Sequence, residues 1–298
     1  MRQTLARYGR WGPDPASPYH DGTLYRVARV EEGLVPFRLS VSGPVARPRA
    51  TVSFAGPDTP AVRRALRQHA ARLLGEAWDL PGFYTAVAAD PVLAPFVRPA
   101  GALFGLRPTI VPDAFEMLVG SISAQQVNLA FAFATRARLV RRYGSPVEFE
   151  GTTVYAFPAP TALAAAPPSE LRAMQFSERK AEYIVGLARH IVSGELDLDA
   201  LRRLSNDEVI ERLTAVRGFG RWSAEWFLAR GLGRGDVCPA GDLGVRRAFE
   251  HFYGRGRLLS EEAIRRRSAR WGDHQNLAVH YLLAGRRLAT AAAAGGGA

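Results

Sequence analysis

The sequence predicts an α+β protein, with an N-terminal antiparallel-sheet α/β domain followed by a body that is helical almost throughout. Three observations lead there. The stretches Thr23 to Val30, Val35 to Val41 and Ala50 to Phe54 are β-rich runs of roughly alternating polarity. Turn signals bound them: Glu32-Gly33, Ser42-Gly43-Pro44 and Gly56-Pro57. From about Leu80 onward, apolar residues recur at helical rather than strand spacing. With 298 residues the chain is long enough for two or three domains. The expected division is a sheet domain over 1–78, a helical domain over 79–289 and an Ala/Gly tail without fixed structure over 290–298.

The elements follow in order. A helix is expected from Thr59 to Leu74, with Val62, Leu66, Ala70 and Leu73 on one stripe and Arg63, Arg64 and Arg67 on the opposite face. Pro112-Asp113 opens a helical segment that runs to Tyr143, in which Phe115, Leu118, Val119 and Ile122 keep helical spacing. Phe157 to Pro168 is a Pro/Ala-rich link. Ser177 to Ser193 reads as one helix stopped by Gly194. Ser205-Asn206-Asp207-Glu208 has the form of a capping box, and Ser260-Glu261-Glu262 starts a further helix.

Composition narrows the chemistry. The formal net charge is +11, which favours polyanion partners. Lys180 is the only lysine among 39 basic residues, so the charge also fits a simple overuse of arginine. Cys238 is the only cysteine, which rules out an intramolecular disulfide and a four-cysteine iron–sulfur cluster. The six histidines are scattered without metal-ligand spacing. No run of about 20 apolar residues is present, so no membrane span is expected. Met1 to Trp11 is basic but lacks an apolar signal core, and a reducing cytoplasm is the expected location.

The most informative stretch is Leu213 to Ala224. A capped helix runs into Gly218-Phe219-Gly220, and a second helix leaves at about Arg221. The two glycines allow a tight turn and leave amides uncovered at a helix N-terminus, where donors and dipole both favour a phosphate. Arg217 and Arg221 flank the turn. Such a hairpin grips a nucleic-acid backbone without reading its sequence. Most Gly-x-Gly turns merely connect helices, and that reading stands beside the first.

Three pieces together carry a resemblance. They are Val216 to Ala224, Pro239-Ala240-Gly241-Asp242-Leu243-Gly244-Val245-Arg246-Arg247, and Phe115-Glu116 with Ser121-Ile122-Ser123-Ala124-Gln125-Gln126. Over roughly Leu106 to Ala289 the chain resembles the helix-hairpin-helix DNA glycosylase superfamily, in particular its 3-methyladenine DNA glycosylase II branch. The resemblance implies a two-lobed helical fold behind the sheet domain. It also implies a monofunctional DNA N-glycosylase that flips and hydrolytically excises alkylated purines, with Asp242 as the catalytic carboxylate. By itself, an Asp before the apolar-periodic helix Leu243 to Phe252 is an ordinary N-cap.

The same resemblance assigns the remaining roles. Trp222 and Trp226, four apart on one helix face, would line the base pocket with His274; without it they read as a core stripe. An indole face attracts a cationic alkylpurine by roughly 1–2 kcal/mol when water is excluded. Gly218, Gly220, Arg217 and Arg221 would hold DNA from one side, Gln125 and Gln126 from the other. Gln126 matches the residue that fills the gap left by a flipped base, and a solvated amide is an equal reading. The backbone carbonyls of Thr214, Val216 and Phe219 match positions that hold a monovalent cation; no other cofactor is expected. Bifunctional relatives carry a lysine just after the hairpin, where this chain has Trp222, so strand cleavage is not expected. His274 stands where the branch often shows an aromatic, which keeps neutral lesions such as hypoxanthine open. The expected partner is double-stranded DNA with damaged bases, met by a monomer associated with the nucleoid. A non-catalytic helix-hairpin-helix DNA-binding protein is the alternative, but it needs only the hairpin.

Overall fold

The computed structural model describes residues 2–31 and 33–295. Its first part is a four-stranded antiparallel sheet in chain order: β1 (Tyr19–His20), β2 (Thr23–Val30), β3 (Gly33–Ser42) and β4 (Arg49–Phe54). The three expected strands are present, and β1 adds a short edge. Leu24 pairs with Leu39 and Ala28 with Val35, which puts these side chains on one face with Phe37. Helix α1 (Pro60–Leu74) covers that face with the expected stripe, Val62, Leu66, Ala70 and Leu73. Thr59 caps its start by accepting from the Val62 N–H, and Gly75 ends it in the left-handed region at φ 62°.

The other face of β2 shows Tyr25 and Val27. A hairpin of β5 (Ser145–Phe149) and β6 (Thr152–Ala156) covers them with Phe149, Val154 and Ala156. Because β2 is covered on both sides, its burial is continuous from Leu24 to Ala28 rather than alternating, with Arg26 buried among apolar neighbours. Chain from the helical body thus completes the sheet domain, so the break expected after residue 78 is not a packing boundary.

The helical body has two cores. One is built by α2 (Ala114–Ala124), α3 (Leu129–Tyr143), α4 (Glu178–Val192), α5 (Asn206–Thr214) and α6 (Arg221–Trp226), with Phe115, Leu118, Ile122, Ile184, Leu213 and Phe227 in contact. The second combines Trp78 and Phe83 with α7 (Leu243–Tyr253), α8 (Glu261–Ser268) and α9 (Gln275–Gly295), where Phe249, Trp271 and Tyr281 are central. The chain therefore begins the second lobe, builds the first, and returns at about Cys238. Trp226 packs against both cores, which places it at the junction.

Three expectations need correction. The segment Asp113 to Tyr143 is two helices, because Gln126 has φ 54° and Asn128 starts α3 by accepting from the Phe131 N–H at 2.9 Å. The link Phe157 to Pro168 contains the short helix Pro160–Ala164, which buries Leu163. The tail is not unstructured from Thr290: the Ala run extends α9 to Gly295, as expected of the residue with the highest helix propensity. Residues 296–298 and Glu32 of the first turn signal lie outside the described residues. Ser177, Ser205 and Ser260 cap their helices as expected, Ser205 in a full capping box.

A buried ion cluster ties the sheet to the first lobe. Glu116 of α2, 6% exposed, accepts from Arg26 of β2 at 2.6 and 3.0 Å and from Arg136 of α3 at 2.7 Å. Arg136 also binds Asp14. Burial alone would raise the Glu116 pKa, but the two guanidiniums outweigh it and hold the group below its ordinary value. A depressed carboxylate stabilises the fold above the unfolded pKa of about 4.3 and loses that contribution as pH falls through the folded value. Glu116→Gln leaves two buried cations short of an anion. It should cost about 3–5 kcal/mol at neutral pH in urea denaturation, and the gap to the parent should narrow as pH falls below about 4.

Candidate active site

Asp242 initiates α7 at the junction of the lobes. Its Oδ1 accepts the Val245 N–H at 2.9 Å, the ordinary use of an N-cap. Its Oδ2 accepts from two indoles, Trp222 Nε1 at 2.8 Å and Trp226 Nε1 at 3.2 Å. A carboxylate offers about four acceptor positions, and these three bonds leave about one open. The side chain is partly exposed. A Cβ on Gly244 would come within 2.9 Å of Oδ1, so the glycine keeps the space beside the carboxylate clear.

The two tryptophans meet one carboxylate because α6 presents residues four apart on one face. After Trp226 the helix widens over Phe227–Leu232 into π-type turns and ends at Gly233 with φ 77°. The loop to Asp242 is closed by the Ala240 N–H on the Cys238 carbonyl at 2.7 Å and the Asp242 N–H on the Pro239 carbonyl at 3.0 Å.

His280 of α9 completes the group and was not found in the sequence. Its ring stands edge-to-face with Trp226, centroids 5.7 Å apart. Its Nδ1 lies 2.9 Å from the Asn276 carbonyl, so this nitrogen carries the proton, and the buried Nε2 has no hydrogen-bond partner among the described residues. Burial pushes its pKa down to about 4, so the imidazole is neutral. No spacing links His280 to Asp242; only the packing of α9 does. His274 goes elsewhere. Gly272 breaks the helical path at φ 51°, ψ −127°, and His274 then packs on Phe83 at 6.1 Å rather than joining the tryptophans.

The hairpin lies between α5 and α6. Gly218 has φ 99°, and a Cβ there would meet the Tyr183 ring at 2.3 Å, so no larger residue fits. Gly220 is the N-cap of α6, and no described residue comes within 4 Å of a Cβ added there. Val216 and Phe219 are buried and pin the turn to the first core. Arg217 pairs with Glu182 at 3.2 Å and lies over Tyr183, while Arg221 is bonded to Glu225 at 2.8 Å.

The two glutamines separate in role. Gln125 Nε2 donates to the Gly218 carbonyl at 2.8 Å, which fastens the end of α2 to the hairpin. Lys180 Nζ donates to the Ser123 carbonyl at 3.0 Å, a second tie on the same end of α2. Gln126, exposed and left-handed, is carried outward on this braced turn. Among the described residues, no three His, Cys, Asp or Glu side chains are grouped to hold a metal ion.

Comparison with known proteins agrees with this architecture. Residues 119–273 match the family described as HhH-GPD superfamily base excision DNA repair protein. The chain is 32% identical over 204 residues to a DNA-3-methyladenine glycosylase of Bacillus subtilis, covering 68% of this chain and 66% of that one. It is 29% identical over 178 residues to DNA-3-methyladenine glycosylase 2 of Escherichia coli, covering 60% of each. The match thus spans less than two thirds of these relatives' length. A solved 3-methyladenine DNA-glycosylase from Archaeoglobus fulgidus has a TM-score of 0.84 at 27% identity, covering 96% of this chain and 95% of that one.

The indole–carboxylate bonds are separable from the cap. Trp222→Phe keeps an aromatic ring, though a smaller one, and removes one donor, while Asp242→Ala removes both carboxylate oxygens. A double-mutant cycle in urea should give a coupling of about 1–2 kcal/mol, because a hydrogen bond to a charged group is at stake.

Proposed function

The chain belongs to the HhH-GPD superfamily of base excision DNA repair proteins, and on that premise we propose that it is a monofunctional DNA N-glycosylase. It flips alkylated purines of the 3-methyladenine and 7-methylguanine type out of double-stranded DNA and hydrolyses their glycosidic bonds. The observation that carries this reading is the Asp242 carboxylate, fixed by Trp222, Trp226 and the α7 N-terminus at the junction of two lobes.

Asp242 acts as the anion. Excision passes through a sugar of oxocarbenium character, and a fixed negative charge beside C1′ lowers that barrier. Its open acceptor position orients or deprotonates the attacking water. Because the carboxylate is already held by three donors, it needs no reorganisation when charge develops. An N-alkylated purine is cationic and leaves readily, so no general acid is required. The indole faces of Trp222 and Trp226, whose N–H edges are turned to Asp242, stack with such a base. The neutral His280 beside them adds no repelling charge.

Gly218, Gly220, Arg217 and Arg221 bind the phosphate backbone, and Gln126 fills the gap behind the flipped base. Support for that wedge comes from its exposed position on a turn tied by Gln125 to Gly218 and by Lys180 to Ser123. A monovalent cation on the carbonyls of Thr214, Val216 and Phe219 would offset the partial negative charge of those oxygens and add positive charge where a phosphate approaches the hairpin. The Val216 carbonyl already accepts the Phe219 N–H at 3.1 Å and has a second lone pair for the ion. The protein acts as a monomer near the nucleoid. Among the described residues no helix is long and apolar enough to cross a membrane.

Incubation with duplexes carrying one defined lesion tests the reading. Free base should be released, and the abasic product should stay uncut until alkali is added. Asp242→Asn should bind duplex and lose about 10²-fold or more of the excision rate; parental activity in this variant would remove the assignment. Trp222→Ala should slow release of charged 7-methylguanine more than release of neutral hypoxanthine. An equal loss on both would exclude the cation–π contribution.

A further inference from the structure

Glu225 stands between the two tryptophans in the sequence of α6, whose indole N–H groups both bond to Asp242 instead. Its side chain is 3% exposed, an expensive place for a carboxylate unless cations meet it. Two do, and both meet the same oxygen. Oε1 accepts from Arg221 Nε at 2.8 Å and from Arg265 NH1 at 2.6 Å. Oε2 is buried and has no hydrogen-bond partner among the described residues.

The two arginines lead to different parts of the molecule. Arg221 occupies the first position of α6, directly after Gly220, and its side chain is 58% exposed. Among the described residues its guanidinium is bonded through Nε alone, so its terminal amino groups stay available beside the hairpin. Arg265 comes from α8. The NH1 that meets Glu225 also donates to the Cys238 carbonyl at 3.3 Å, four residues before Asp242. The loop that delivers Asp242 is therefore fastened to α6 through Arg265 and Glu225, and α6 carries both indoles that hold the Asp242 carboxylate.

We infer that Glu225 is a positioning residue that joins the grip on the DNA backbone to the placement of Asp242. This rests on the glycosylase reading above and adds a route through it. Arg221 is shared between Glu225 and a backbone phosphate. The unpartnered Oε2 gives the guanidiniums a second oxygen, so Arg221 can turn toward a phosphate without leaving the carboxylate bare. Arg265 stays on Glu225 throughout and fixes the distance between the Cys238–Asp242 loop and the indoles.

The test is single-turnover excision by the full chain, with enzyme in excess over a duplex carrying one 7-methylguanine. Glu225→Gln keeps the shape and removes the charge; Arg265→Met removes the brace; Arg265→Lys retains one donor. The saturating rate constant should fall roughly 10- to 100-fold in Glu225→Gln and Arg265→Met, as expected when a reacting group is displaced by about 1 Å. Arg265→Lys should lie between these and the parent. Affinity for undamaged duplex should be unchanged or tighter in Glu225→Gln, because a negative charge near the backbone is lost. A merely less stable protein behaves differently: its active fraction drops and its saturating rate constant does not. That result, or a slow Glu225→Gln beside a fully active Arg265→Met, would overturn the inference. Asp242→Asn is run in parallel. Full activity there would refute the glycosylase assignment itself, while an inactive Asp242→Asn beside parental Glu225→Gln would refute only the role of Glu225.

Discussion

One carboxylate oxygen shared by two indole N–H groups governs the arrangement of this protein. Oδ2 of Asp242 meets both Trp222 and Trp226, and those two residues belong to a helix built into the other lobe. The lobes cannot slide or open at this point without breaking charge-assisted bonds, which are worth more than neutral ones. Since Oδ1 simultaneously caps α7, the carboxylate has no rotational freedom left. A group held this way is preorganised: its direction is set by the fold before any ligand arrives.

The other buried charges have a related purpose at different junctions. Glu116 collects Arg26 from the sheet and Arg136 from the first lobe, and Arg136 brings in Asp14 of the N-terminal segment. Glu225 collects Arg221 from the hairpin helix and Arg265 from the second lobe. Buried ion clusters add little net stability compared with apolar packing, but they are intolerant of misplacement. Each lies where separately packed parts of the chain meet, so each fixes an orientation that apolar contact alone leaves loose. The β5–β6 hairpin adds an apolar seam to the first of these junctions and makes the sheet domain a brace for the lobe that carries the Gly218–Gly220 hairpin.

The proposed chemistry suits the electrostatics of the site. The chain is strongly basic overall, yet the group at the lobe junction is an anion flanked by aromatic rings and a neutral histidine. A polyanionic duplex is attracted at long range, and only an extruded cationic base gains from the local arrangement. Attraction and selectivity are thus carried by different residues. This division explains why the net charge said little about the reaction.

Much was legible in the chain itself. The β-rich runs from Thr23 to Phe54, the stripe of α1 and the Ser205 capping box are local signals, set by residue type, side-chain period and backbone hydrogen bonding, and the fold keeps them as strands, helix and cap. The Asp242 cap and the i, i+4 spacing of Trp222 and Trp226 were readable for the same reason. The family resemblance put the carboxylate and both indoles in one cleft, but that both indole N–H groups bond to a single oxygen was not readable, because the groups sit on separate helices joined by a loop. The sequence offered no sign that His280 would face Trp226 or that His274 would not, since a kink at Gly272 and the packing of α9 choose between them. Nor did it reveal β5–β6 on the back of the sheet, or the break after Ala124 that turns Gln126 outward. These depend on contacts between residues distant in the chain, and a periodicity confined to a few turns cannot encode them.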